Sequence, residues 1–354
     1  MSVQVEGSGG VFSWRSPMGS LGRTLVVLVT ATCLAGLSAC GSGDDGKTIT
    51  LYNAQHQDLM RVMVDAFTKQ TGIKVELRRG GDPELANQIV QEGDSSPADV
   101  FVTENSPAMT LVDRAGRFSK LDRATLGQVP DQYVPSTGNW VGFAARSTVF
   151  IYNRGQVAKN ELPTSIMDLA GPAWKGKVGV AAAGADFQAI VSAVLAVKGE
   201  GATAEWLAGL KRNAKIYDNN IAALRAVNAG EVPAAVIYHY YWYQDQAESG
   251  KDSRNVDLHF FGHRDPGAFV SVSGAGVLAA SDQQAEAQRL VAFLTSDAGQ
   301  KALVDSGALE YAVSDAVPTN PALKPLSTLD PPDIDISTLN GPKVVELMQR
   351  AGLL

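Results

Sequence analysis

The chain has 354 residues, of which 45% are hydrophobic and 19% charged, a composition that predicts a soluble globular protein with a sizeable core. Its formal net charge of −7 argues against nucleic acid as a partner. A chain of this length exceeds one ordinary domain, so we expect two lobes.

The N-terminus predicts export. A mostly apolar stretch at residues 25–37 follows two arginines, is too short to span a bilayer, and is typical of a secretory signal. Small residues and then Cys40 follow it, an order that resembles a bacterial lipobox, in which this cysteine is lipidated. We therefore predict a signal peptide at residues 1–39 and a lipid-anchored tether at residues 40–47.

The chain has two cysteines, Cys33 inside the apolar stretch and Cys40. The predicted mature chain therefore keeps no thiol for a disulfide, a cysteine nucleophile or a sulfur metal site. Any metal must be bound by oxygen and nitrogen atoms.

Short β-rich runs alternate with amphipathic helical runs, a pattern that predicts an α/β fold. The predicted strands are residues 48–52, 73–77, 98–102, 177–181, 234–237 and 269–278. The predicted helices are residues 57–71, 83–92, 186–197, 221–229 and 281–295. The first three strands and two helices make a βαβαβ unit.

Polar side chains follow three of the predicted strands. His56 follows the first, Glu104 follows the third, and a tyrosine cluster at residues 238–243 follows the fifth. Open α/β sheets bind ligands outside the carboxyl ends of their strands, so these side chains could meet in one cleft. Taken singly, His56 could instead cap the next helix, and Glu104 could be a solvated loop acid.

The tyrosine cluster, YHYYWY at residues 238–243, has four phenols in six residues of a chain that is only 7% aromatic. Ionised phenols are hard anionic donors that suit Fe(III) better than Zn(II), and ionising them near neutral pH requires a strongly charged metal. Tyr240 and Tyr241 are adjacent, so we expect them to converge on one ion only at an irregular junction where a strand ends and a helix begins. The alternatives are an aromatic edge of the core and a sugar-stacking platform.

Four segments in chain order resemble the ferric-ion-binding proteins of bacterial ABC importers. These segments are residues 52–56 (YNAQH), 96–101 (SPADVF), 240–242 (YYW) and 263–268 (HRDPGA). The resemblance implies a two-lobed periplasmic-binding-protein-like fold, with a ligand cleft between lobes joined by two hinge strands. It implies an N-terminal lobe of residues 48–147 and 273–323, a C-terminal lobe of residues 148–272 and 324–354, and hinges near residues 147–151 and 270–273.

In that family Fe(III) is held by a histidine, a glutamate and two adjacent tyrosines, with a small anion completing the shell. The matching positions here are His56, Glu104, Tyr240 and Tyr241. All four residue types are retained, so the resemblance implies an intact iron site.

The family's anion pocket is only partly retained. The residues that match it are Gly184, Ala185, Asn220, Asn105 and Arg146. Ala183 stands where the family has serine, and Tyr238 where it has asparagine, so phosphate should bind less well than carbonate or a carboxylate, or an additional tyrosine takes its place. The alternative for Arg146 is a surface ion pair, and for residues 263–265 we expect a structural role.

Together with the predicted lipobox, the resemblance implies a monomeric lipoprotein on the outer side of the cytoplasmic membrane, not an enzyme, that binds Fe(III) and a synergistic anion and delivers iron to an ABC permease and its ATPase. A binding protein of the same fold for a polyamine, thiamine or a sugar is the nearer alternative. A ferric-tyrosinate enzyme such as an intradiol dioxygenase is a weaker one, because that family is β-rich and supplies two histidines as ligands.

Overall fold

The computed structural model describes residues 48–354, which belong to one compact unit. The predicted signal peptide, tether and lipidated Cys40 lie outside the described residues. Among the described helices, none is long and apolar enough to cross a membrane.

The described part of the chain mixes strands and helices along its length, and the predicted α/β fold is confirmed. Its strands are β1 (Thr48–Asn53), β2 (Lys74–Arg79), β3 (Val100–Val102), β4 (Trp140–Asn153), β5 (Val178–Val180), β6 (Ala214–Ile216), β7 (Ala234–Tyr238), β8 (Val256–His259), β9 (Val270–Val277) and β10 (Tyr311–Ala312). Its α-helices are α1 (Gln57–Thr71), α2 (Asp82–Glu92), α3 (Ser106–Arg114), α4 (Arg123–Leu126), α5 (Ala185–Asn213), α6 (Asn220–Ala229), α7 (His239–Glu248), α8 (Gln284–Thr295), α9 (Asp297–Asp305) and α10 (Gly341–Arg350).

The strands join in the order β2-β1-β3-β9-β4-β7-β5-β6, and β8 and β10 also pair with β4. Strand β1 is parallel to both β2 and β3, and β5 is parallel to both β6 and β7. Strands β9 and β4 run antiparallel to their neighbours in the middle of this order. Two parallel sets are thus joined through β9 and β4.

Helix α1 shows how the local sequence sets an element. Leu59, Met63 and Phe67 recur at a helical spacing, and all three are buried. The helix ends at Gly72, whose φ of 75° is the left-handed conformation that glycine adopts without steric cost. The observed bounds equal the predicted helix at residues 57–71.

Helix α5 is longer than its prediction, which stopped at residue 197. Two helical segments run on through a kink at Gly199, whose φ is 78°. Glycine tolerates this angle, so the chain bends there without ending the helical region. The prediction at residues 186–197 therefore covered only the first segment.

Strand β4 connects two regions of core, and all of its residues are buried. Up to Ser147 it pairs with β9 and β10, and from Thr148 onward it pairs with β7 and β8. The largest hydrophobic cluster includes its first half, whereas Phe150 and Val149 belong to two other clusters on opposite faces of its second half.

The C-terminal segment also passes from one core to another. Ile336 and Leu339 pack in the largest cluster, whereas Val344 and Leu347 of α10 pack in the cluster that contains much of α5. The chain therefore changes cores between residues 339 and 344.

Candidate metal centre

His56, Glu104, Tyr240 and Tyr241 lie together at the carboxyl ends of β1, β3 and β7. The Tyr240 hydroxyl donates to Glu104 Oε1 at 3.0 Å, and His56 Nε2 lies 3.6 Å from the same oxygen. The His56 ring meets the Tyr240 ring edge-on, with 5.3 Å between centroids. The structure thus brings an imidazole, a carboxylate and two phenols into one group.

Tyr240 and Tyr241 are the second and third residues of α7, whose N-cap is Tyr238. Their ring centroids are 4.1 Å apart with planes tilted by 32°. The pair therefore lies at the strand-to-helix junction where we expected it, and its convergence on one ion stays a prediction.

Asp186 is a member of the group that the sequence analysis missed. It lies in the first turn of α5 and is buried. Its carboxylate accepts hydrogen bonds from Asn105 Nδ2 at 3.0 Å, Asn220 Nδ2 at 2.8 Å and the Tyr241 hydroxyl at 3.0 Å. Asn105 and Asn220, which we predicted to bind an external anion, here bind a carboxylate of the protein itself.

The turn before Asp186 holds two more of the five predicted anion-binding residues. Gly184 is the N-cap of α5, and Ala185 is its first residue. The Gly184 N–H donates to Ala181 O at 2.9 Å, and a Cβ at residue 184 would lie 3.2 Å from that oxygen. The tight turn therefore positions Asp186, and the Gly184 N–H is already used within it.

Tyr238, the residue that stands where the family has asparagine, is buried beside this carboxylate. Its hydroxyl lies 3.2 Å from Asn105 Oδ1, and Ser271 Oγ lies 2.9 Å from the same oxygen. Because two hydroxyl groups donate to the side-chain oxygen of Asn105, the amide nitrogen of Asn105 faces Asp186 and donates to it. Tyr238 thus orients a partner of Asp186.

Arg146 is fully buried, so the alternative of a surface ion pair is wrong. Its Nη2 lies 2.6 Å from Glu310 Oε2 and 2.8 Å from Ser273 Oγ, and its Nη1 donates to the main-chain oxygen of Glu104. These partners place the guanidinium group beside Glu104, and its central carbon also lies 5.8 Å from the centroid of the Tyr240 ring. The pKa of Arg146 is raised well above its ordinary value because the charges of Glu310 and Glu104 outweigh the effect of burial.

Glu310 was also missed by the sequence analysis. Its side chain is fully buried, and Oε1 lies 3.3 Å from His56 Nδ1. His56 occupies the N-cap position of α1, but its ring makes no capping hydrogen bond, so the capping alternative is wrong. The ring instead lies between the carboxylates of Glu310 and Glu104.

Asp82 fixes the loop that carries Glu104. Its two carboxylate oxygens accept the main-chain N–H groups of Glu104 and Asn105, each at 2.8 Å. Burial, followed by the charge of Glu104, raises the pKa of Asp82 to about 8. The main chain of Glu104 and Asn105 is therefore held in place, which limits the positions that their side chains can take.

The group carries an excess of acidic side chains. Burial, followed by the charges of Asp186 and Glu104, raises the pKa of both Tyr240 and Tyr241 well above the ordinary phenol value. Burial and the charge of Glu104 also raise the pKa of Asp186 to about 7. Burial alone would lower the pKa of His56, but the bond to Glu310 and the charge of Glu104 raise it to about 8. A bound cation would relieve this repulsion.

Residues 263–268 have a structural place in the fold. Asp265 accepts the Ile166 N–H at 3.0 Å and the Gly267 N–H at 2.7 Å, and the Ser165 hydroxyl also donates to it. His263 and Arg264 have φ angles of 58° and 54°, which mark a tight turn. This geometry agrees with the structural role expected for the segment.

An oxygen-rich site with one imidazole, at the strand ends of an α/β sheet, is a binding site of the type found in solute-binding proteins. The sequence model of the bacterial extracellular solute-binding protein family matches residues 95–338, and the chain belongs to this family.

Known relatives include iron-binding proteins. The chain is 53% identical over 330 residues to the Fe(3+)-binding periplasmic protein of Serratia marcescens, covering 93% of this chain and 97% of the relative. It is 38% identical over 308 residues to the major ferric iron-binding protein of Neisseria meningitidis serogroup B, covering 86% and 93%. The predicted family resemblance is thereby confirmed.

Solved structures agree with these relatives. Iron-bound HitA from Pseudomonas aeruginosa matches with a TM-score of 0.81 and 42% identity, over 86% of this chain and 99% of that one. The Trichodesmium protein in complex with iron and citrate matches with a TM-score of 0.76 and 28% identity, over 86% and 99%.

Proposed function

We propose that this chain captures Fe(III) and delivers it to an ABC permease and its ATPase. The observation that carries the proposal is the meeting of His56, Glu104, Tyr240 and Tyr241 at three strand ends, with the first three linked through one carboxylate oxygen. Phenolate, carboxylate and imidazole donors form a hard set that suits a trivalent cation. The relatives named for ferric iron binding support the same assignment.

Asp186 supplies the anionic oxygen that the family resemblance assigned to an external anion. Its carboxylate already bonds with the Tyr241 hydroxyl and with both asparagines of the expected anion pocket. Iron binding therefore proceeds without carbonate, phosphate or citrate. Asp186 becomes either a fifth protein ligand or the acceptor that orients Tyr241.

The two regions of core correspond to two lobes, with the cleft at the candidate site. The proposed lobes are residues 48–147 with 273–323 and residues 148–272 with 324–354. The chain changes cores only after residue 339, which favours moving the last boundary between the lobes from residue 323 to about that position. Iron that bonds to groups of both lobes closes the cleft, and the permease recognises the closed form. We further propose that the protein is exported and anchored through Cys40 on the outer side of the cytoplasmic membrane, and that it acts as a monomer.

Tyr241→Phe tests the metal assignment. Ferric phenolate absorbs visible light, so the purified wild type with Fe(III) should be coloured, and the variant should lose much of that absorbance and about 100-fold or more in iron affinity. Tyr243→Phe, a neighbouring tyrosine of α7 outside the group, is the matched control and should keep both. A Tyr241→Phe protein with unchanged colour and iron affinity would overturn the assignment.

The same preparation addresses the other solute classes. Calorimetry with a polyamine, thiamine and simple sugars should give no heat of binding to the metal-free wild type. Binding of one of them, together with absence of ferric colour, would favour the alternative of a metal-free aromatic site.

A further inference from the structure

Glu310 lies at the centre of a buried polar network behind the candidate site. It directly precedes β10 and its side chain has no exposed surface. One carboxylate oxygen faces His56 Nδ1 at 3.3 Å, and the other faces Arg146 Nη2 at 2.6 Å and Gln55 Nε2 at 3.3 Å. The residue lies outside every segment that carried the family resemblance.

The protonation of this network follows from its donors and acceptors. Arg146 and Gln55 both donate to Glu310 Oε2, and the guanidinium charge keeps the glutamate ionised. An ionised carboxylate can only accept, so His56 must donate its Nδ1 proton to Oε1. The lone pair of the neutral ring is then on Nε2, the nitrogen that faces Glu104.

We propose that Glu310 is a positioning residue that fixes the tautomer and the ring direction of His56, so that Nε2 is presented to iron. This inference rests on the proposed function. The His56 side chain is 39% exposed, so packing alone leaves its ring room to turn. A carboxylate behind a metal-binding imidazole holds the ring in place and raises its basicity.

Arg146 extends the same control to the second ligand. It binds Glu310 and also donates to the main-chain oxygen of Glu104, while Asp82 holds the N–H of Glu104. One buried ion pair therefore positions both His56 and Glu104.

Glu310→Gln tests the proposal with little change in volume. The glutamine oxygen must face Arg146, so its NH₂ group faces His56 and requires an acceptor at Nδ1. The ring proton then moves to Nε2 and blocks the metal-facing nitrogen. We expect iron affinity to fall by about 10- to 100-fold, with a changed electron paramagnetic resonance spectrum of the bound ferric ion. Glu310→Asp, which keeps the charge, should recover part of the loss.

A double-mutant cycle with His56→Ala separates positioning from general damage. If Glu310 acts through His56, adding Glu310→Gln to His56→Ala should change iron affinity by less than about twofold. An equal loss in both backgrounds, or no loss in the wild-type background, would overturn the proposal. The midpoint of thermal unfolding, measured on the variants without metal, shows whether loss of the Glu310 charge beside the buried Arg146 destabilises the fold.

Nitrogen-15 NMR of the wild type gives a result that needs neither iron nor a folded variant. At about pH 10, where the imidazole is neutral, His56 should carry its proton on Nδ1. A proton on Nε2 contradicts the proposal even if every variant fails to fold. A wild type that shows the expected tautomer but binds no iron instead contradicts the proposed function, so the two failures are distinguishable.

Discussion

Asp186 places a carboxyl group of the protein itself at the N-terminus of α5, and this group is ionised above its pKa of about 7. Helix N-termini attract anions through their free N–H groups and dipole, and here the helix supplies the anion itself. Two side-chain amides and one phenol satisfy the carboxylate. An external anion entering the same place would meet a like charge in a poorly solvated site, which disfavours its binding.

Replacement of Asp186 by alanine should therefore make iron binding depend on an added anion. Wild-type iron affinity should change by less than about twofold when phosphate or carbonate is added, whereas Asp186→Ala should lose about tenfold or more without an anion and regain much of it with one. Competition against a chelator, with and without each anion, measures this.

Asp58→Ala is the matched control, because its carboxylate is 95% exposed on α1. It should behave as the wild type in every anion. If the wild type and Asp186→Ala need phosphate or carbonate equally to bind iron, Asp186 does not replace the anion.

The sequence predicted the residues that have a local signal. His56 and Glu104 follow predicted strands, and the tyrosine pair is contiguous. Asp186 and Glu310 could not be found in this way, because their partners are distant along the chain: Asn105 and Asp186 are 81 residues apart, and His56 and Glu310 are 254 apart. Such pairs leave no periodic pattern, and only the folded chain brings them together.

At the scale of elements, two helix N-termini meet at the candidate site. Tyr240 and Tyr241 occupy the first turn of α7, and Asp186 occupies the first turn of α5. The partial positive charge of each N-terminus favours phenolate and carboxylate. The two helices therefore offset part of the cost of keeping several negative oxygens together.

The end of β7 supplies a further link through Tyr238, whose hydroxyl bonds Asn105 rather than pointing at the phenols of α7. Tyr238→Phe removes one hydroxyl donor from Asn105 Oδ1 and leaves Ser271. We expect iron affinity to fall by about three- to tenfold, the value of one hydrogen bond, with the ferric absorbance unchanged in wavelength. If Tyr238 were itself a ligand, the absorption band would move, and titration with visible spectroscopy distinguishes the two.

The elements that the sequence predicted are those with a clear period or a clear boundary, such as α1 and β1. Strand β4 was not predicted over its full length, although its residues 147–151 were expected to form a hinge. Every residue of β4 is buried, so the strand has none of the alternation that marks a half-exposed strand. Gly142 and Arg146 further interrupt its apolar character. Its register with four other strands is a property of the folded sheet.

For the whole molecule, the candidate site joins the two regions of core. Tyr240 packs in the cluster that contains α5 and bonds Glu104, which follows a strand of the largest cluster. Tyr238 and Asn105 make a second link of the same kind. These links are hydrogen bonds in which the phenols keep their protons, and bound iron would replace the one made by Tyr240 with a bond to the metal.

Iron binding should therefore release protons and strengthen as pH rises. The metal displaces a proton from any ligand whose metal-free pKa lies above the solution pH. Both phenols qualify at every pH below 10, and His56, with a pKa of about 8, and Asp186, with a pKa of about 7, qualify near neutral pH. We expect about two protons per iron near pH 9 and about three near pH 7, measured by calorimetry in buffers of different ionisation enthalpy.

His56→Gln tests which group adds the extra proton. This variant should release about one proton fewer than the wild type near pH 7 and about the same number near pH 9, because the imidazole, with a pKa of about 8, is mostly protonated at the first pH and mostly neutral at the second, whereas Asp186 contributes alike in both proteins. Lower pH favours the release of iron, because protons compete with the metal for the two phenols and, in the wild type, also for His56. Iron release should therefore rise more steeply with falling pH in the wild type than in His56→Gln. Release of fewer than two protons at both pH values would mean that the phenols stay protonated, and the tyrosine pair would then not bind the metal.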